Sequence, residues 1–109
     1  MMRKTETIGT KSLAASPAEE LYEAFLLLEN PEEVGRFMRD LCTPQEIVDM
    51  AERWRVCRLL EKGELSYREI HQVTGASLAT ITRVARFLKK EPHHGYSAVI
   101  HKIKHRSVE

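Results

Sequence analysis

The sequence predicts an all-α protein of five to six helices that carries a helix-turn-helix. Three observations point there. No stretch alternates apolar and polar residues with the period of two that a half-buried strand needs. Helix-start signatures, in which a Ser, Thr or Asn cap is followed three residues later by Glu, recur as "SPAEE", "NPEE", "TPQE" and "SYRE". The stretch "EIHQVTGASLATITRVARFLKK", Glu69 to Lys90, reads as a short helix, a glycine corner and a second helix.

Residues 1–15 are polar and small and are expected to form a flexible N-terminus, with 16–109 as one helical domain. Ser16 caps the first helix, Pro17 opens it and Glu19 reaches back. That helix should run to about Glu29, with Leu21, Ala24, Phe25 and Leu28 on one stripe. Asn30, Pro31 and Glu33 start a second helix ending near Asp40, and Thr43, Pro44 and Glu46 start a third. Gly63 is its expected left-handed stop. The apolar residues of this third helix (Ile47, Val48, Met50, Ala51, Trp54, Val56, Cys57, Leu59 and Leu60) cover more than one stripe, so burial on several sides is expected. Ser66 caps a short fourth helix, Tyr67 to about Thr74. After Gly75, Ser77 caps a fifth, Leu78 to Lys90, striped by Leu78, Ile81, Val84, Ala85 and Leu88 and closed by Pro92. The segment "YSAVIHKIKHR" adds a last amphipathic helix with Val99, Ile100 and Ile103 inward.

A chain of 109 residues fits one small domain with a modest core, which partner chains could complete. The longest apolar cluster, Ala24 to Leu28, falls far short of the ~20 residues of a membrane span, and no apolar signal-peptide core is present. Cys42 and Cys57 both lie in apolar helical patterns, where packing is the favoured role; two cysteines make no disulfide framework, and a cytoplasmic location is expected. Net charge is +1 but unevenly spread: residues 1–64 hold nine Lys/Arg against thirteen Asp/Glu, and residues 65–109 hold eight against three. A basic end suits a polyanion.

The corner sits inside that basic end. Gly75 can take the positive φ that a tight corner requires, with Ile70 and Val73 packing across it against Ile81 and Val84. The second helix of such a unit ordinarily enters the major groove of DNA. Once its stripe is buried, small residues and hydroxyls remain near its start and cations near its end, suited to base edges and phosphates respectively. The candidate DNA surface is Arg68 and Gln72 on the first helix, Ser77 at the cap, and Leu78, Ala79, Thr80, Thr82, Arg83, Arg86, Lys89 and Lys90 on the second.

"LCTPQE", "ERWRV", "LLEKGELSYREIHQVTGASLATITR" and "LKKEP", spread over residues 41–92, resemble the Trp repressor family, and "RVARFLKKEPHHGY" is similar to its YerC/YecD branch. The resemblance implies an intertwined homodimer that binds double-stranded DNA. It places Arg68 at a base, Thr80 and Thr82 beside phosphates, Lys89 at the helix end and Gly75 at the corner. His71 stands where the family has a lysine, and Ser77 and Leu78 depart from its pattern. Thr43, Arg53 and Arg83 match the family's tryptophan-contacting residues. The family's glycine and serine in that pocket are Val84 and Phe87 here, so the pocket is expected to be vestigial. DNA binding should then be indifferent to tryptophan, or governed by a different small-molecule effector or partner.

Other classes are less well supported. His101 and His105, spaced i, i+4, and His93 and His94 invite a metal, but Lys102, Lys104 and Arg106 surround them with like charge, and no metal site or cofactor is expected. No phosphate loop, nucleophile signature or carboxylate–histidine spacing marks an enzyme. The rival reading is a dimer whose helix-turn-helix docks another protein.

Overall fold

The structure, a computed structural model, describes residues 16–108. It contains six α-helices and, among the described residues, no strand: α1 Pro17–Phe25, α2 Pro31–Leu41, α3 Pro44–Lys62, α4 Tyr67–Thr74, α5 Leu78–Lys89 and α6 Gly95–Val108. The expectation for residues 1–15 lies outside the described residues. The chain forms two compact units, divided between Thr43 and Pro44.

In the first unit, the Ser16 hydroxyl accepts from the Glu19 N–H at 3.1 Å and the Glu19 carboxylate accepts from the Ser16 N–H at 2.9 Å, as the capping signature predicts. α1 stops at Phe25, short of the expected Glu29. Leu27 and Leu28 donate instead to Ala24 and Phe25, three residues back, in tightened turns. Asn30, the residue before Pro31, is extended, because proline disfavours helical φ/ψ there, and its side chain accepts from the Glu33 N–H at 2.9 Å. Phe25 and Phe37 meet edge to face at 5.3 Å. Neither helix fully buries a residue, and Leu26 and Leu27 are 84% and 79% exposed.

The second unit holds the core. Val56, Cys57 and Leu60 of α3, Ile70 of α4, Ala76 of the corner, Ile81, Val84 and Ala85 of α5, and Ile100 of α6 form one buried cluster. Trp54, Leu59, Leu65, Leu88 and Tyr96 pack against it. Gly63 ends α3 at φ 72°. Glu61 pairs with Lys104, tying α3 to α6. Within α3, full burial is confined to the C-terminal half; Val48 and Ala51 are exposed. Three further residues expected inward face solvent. Val99 is 49% exposed, because the inward stripe of α6 runs through Tyr96, Ile100 and Ile103, at spacings of four and three. Val73 is 52% exposed and Leu78 55%; between them buried Ala76 takes the inward place at the corner.

Candidate nucleic-acid interface

α4, the corner and α5 form the expected helix-turn-helix. Ser66 and Glu69 cap α4 reciprocally, at 3.1 and 2.8 Å. Gly75 terminates it at φ 78°, with its N–H on the His71 carbonyl at 2.8 Å. Only glycine takes that φ without steric cost. Two α4 side chains then hold the backbone of Ala76 on both sides. The Thr74 hydroxyl donates to the Ile70 carbonyl at 2.7 Å and accepts the Ala76 N–H at 3.0 Å. The His71 ring places Nδ1 2.7 Å from the Ala76 carbonyl. A carbonyl only accepts, so Nδ1 carries the proton. Ser77 caps α5, its hydroxyl accepting from the Thr80 N–H and lying against the Thr80 hydroxyl, both at 3.1 Å.

With Ile81, Val84 and Ala85 buried, the orientation of α5 is fixed. Arg68, Gln72, Ser77, Leu78, Ala79, Thr82, Arg83, Arg86, Lys89 and Lys90 are all exposed; Thr80 is half-buried. Arg86 is partly occupied, its Nε 3.5 Å from the Glu91 carboxylate. Among the described residues, Arg68, Lys89 and Lys90 make no ion pair. The surface therefore offers free cations at both ends, with small and hydroxyl side chains at the start of α5.

The residues of the expected vestigial pocket are arranged differently. Val84 is in the core. The Arg83 guanidinium lies 4.3 Å over the Phe87 ring and that of Arg86 5.1 Å from it. Phe87 also stacks on His93 at 5.9 Å. Arg83 and Phe87 line a cleft of about 530 Å³ together with Trp54, His93, Gly95, Tyr96 and Val99. Trp54 is half-buried, with Tyr96 at 6.2 Å and Arg58 at 5.7 Å. Burial, and to a lesser degree Cys57, push the Tyr96 hydroxyl above its ordinary range; the nearby Arg53 and Arg83 oppose this. Thr43 belongs to the first unit. The His101 and His105 rings lie 3.9 Å apart, and among the described residues no three His, Cys, Asp or Glu side chains cluster as a metal would need.

The Trp repressor protein family profile matches residues 17–104. The chain belongs to the Trp repressor family. It is 43% identical over 76 residues to the uncharacterized protein YerC of Bacillus subtilis, covering 70% of this chain and 72% of that protein. Over 72 residues it is 38% identical to a Trp operon repressor homolog of Chlamydia trachomatis, covering 62% of this chain and 77% of the other. A crystal structure of a TrpR-like protein from Eubacterium eligens superposes with a TM-score of 0.77 at 34% identity, covering 86% of this chain and 95% of that one.

Within this family frame, sequence reasoning missed the His71–Ala76 and Thr74–Ala76 bonds. A hydroxyl and an imidazole two and five residues before the alanine of a Gly-Ala corner were the available signal, since Thr and His side chains can bond nearby backbone. From the family resemblance alone, His71 stands only for a lost lysine.

Proposed function

We propose that this chain is a sequence-specific DNA-binding regulator of transcription that works in the cytoplasm as an intertwined homodimer and does not answer to tryptophan. The observation that carries the reading is the outward face of α5. Buried Ile81, Val84 and Ala85 turn Leu78, Ala79, Thr82 and Arg83 outward near its start and Arg86, Lys89 and Lys90 toward its end. Small side chains let the helix approach base edges, while flexible cations reach phosphates. Arg68, exposed on α4, adds a guanidinium suited to a bidentate guanine contact. Membership of a family of DNA-binding regulators supports the same conclusion. A second copy supplies the other half-site. It also gives Leu26 and Leu27 a surface to cover them.

Indifference to tryptophan follows from the pocket chemistry. A ring forced into the space beside Val84 would overpack it, at about 1–3 kcal/mol, and Phe87 offers no polar partner to a buried ammonium. Arg83 already lies over Phe87. Any effector is a different small molecule. Titration with tryptophan in the millimolar range should give no saturable heat and leave DNA affinity unchanged; saturable binding coupled to tighter DNA binding would overturn this part of the reading. The exposed apolar Tyr67, Val73 and Leu78 favour the rival in which the helix-turn-helix docks a protein. Salt separates the two, because phosphate contacts release counterions and protein docking need not.

A further inference from the structure

The link between α4 and α5 is three residues long, and the angle at which α5 is presented depends on how their peptides are held. Gly75 is anchored by its N–H on the His71 carbonyl, and Ser77 is anchored as the cap of α5. Between them stands Ala76, buried, with its two backbone polar groups bonded by side chains from one face of α4. Residues 71 and 74 lie three apart and so share that face. The Thr74 hydroxyl is oriented by donating to Ile70, which leaves its lone pair for the Ala76 N–H. The imidazole donates from Nδ1, because the Ala76 carbonyl can only accept. Nε2, on the far side of an exposed ring, bonds no described residue.

We infer that His71 and Thr74 are positioning residues for the DNA-reading helix: together they hold the backbone N–H and C=O of Ala76, one in each of the two peptides that flank it, and fix the angle between α4 and α5. The role rests on the DNA-binding reading of α5 and explains how a family member with an altered ligand pocket keeps its reading helix in place. Base contacts need hydrogen-bond geometry, whereas phosphate contacts from long cations tolerate a tilt. Loss of the latch therefore costs discrimination between sequences before it costs general DNA affinity.

The test uses the full chain with three variants. His71→Leu and Thr74→Val each remove one side-chain partner of Ala76. His71→Asn keeps an N–H donor on the same γ-carbon branch. The Leu and Val variants should lose about tenfold in affinity for the preferred duplex and stay within about twofold on an unrelated duplex; the Asn variant should recover the preferred-duplex affinity. In nitrogen-15 spectra the neutral His71 ring should be the Nδ1–H tautomer, and the Ala76 amide should exchange faster in Thr74→Val. An Nε2–H tautomer, an unchanged specificity ratio in His71→Leu, or failure of His71→Asn to rescue would each overturn the proposal. If the wild-type chain discriminates no duplex at all, the DNA reading falls and the positioning role with it. The tautomer and exchange measurements then still decide whether the latch exists.

Discussion

Residues 44–108 enclose their own core, with Val56, Ile70, Ile81 and Val84 almost wholly removed from solvent. The helices Pro17–Phe25 and Pro31–Leu41 are as well capped, yet fully bury nothing and leave Leu26 and Leu27 bare. Capping and propensity define where a helix starts and stops; they do not supply the apolar burial that stabilises a fold. In the second unit α3, α4, α5 and α6 supply that burial within the chain. For the first, the proposed dimer provides a second copy as the occupant.

The sharpest way to break this contrast is to truncate one apolar residue in each unit. Ile81→Ala empties a fully buried site and should destabilise by about 2–5 kcal/mol, read by chemical denaturation. Leu27→Ala, made on an exposed residue, should stay within about 0.5 kcal/mol in the monomer and instead weaken self-association, read by sedimentation over a concentration series. A concentration-independent loss for Leu27→Ala equal to that of Ile81→Ala would remove the distinction between the units.

A smaller effect is expected at the corner. In Gly75→Ala the new Cβ meets nothing within 4 Å, so the cost is that of the backbone alone, about 1 kcal/mol for holding a non-glycine residue at positive φ. A loss several times larger would mean that the corner is packed more tightly than the structure shows.

The smallest perturbation uses the two thiols as paired reporters. Burial pushes the Cys57 thiol up to about 11, Arg58 opposing and Glu61 adding to the rise. It should stay protonated and resist alkylation at neutral pH, while half-buried Cys42 reacts in the folded protein. The sign also sets an alkaline limit: a thiol whose pKa is raised on folding contributes stability that is intact below its unfolded pKa and lost as pH climbs from about 9 through 11. Equal native-state alkylation of both cysteines, measured by mass spectrometry, would contradict the burial of Cys57.

Most of the fold was legible because each helix carries its start and stop in local chemistry. Ser16, Asn30 and Ser66 cap where the signatures place them, and Gly63 and Gly75 adopt positive φ. What misled the reading was tertiary. Val73, Leu78 and Val99 carry the right residue type at plausible helical spacing, but their burial depends on what faces them: Ala76 fills the corner, and α6 turns Ile100 rather than Val99 inward. The early end of α1 carries no such local signal: Pro31 accounts for the extended Asn30 but not for a stop five residues before it. At the candidate site, the exposed face of α5 followed from its stripe. The occupation of Arg83 by Phe87 and of His71 by Ala76 did not, since each depends on a side-chain direction that spacing leaves open.

The central claim is that α4 and α5 read DNA. Its most direct test is selection from a random pool of duplex DNA, followed by affinities of the wild-type chain and Arg68→Ala for the enriched duplex across a salt series. The account predicts a two-fold symmetric enriched sequence and a logarithm of affinity that falls linearly with the logarithm of salt. Arg68→Ala should relax preference at one base position by about 1–3 kcal/mol. No enriched sequence, an affinity indifferent to salt, or an Arg68→Ala variant that binds and discriminates like the wild type would contradict it.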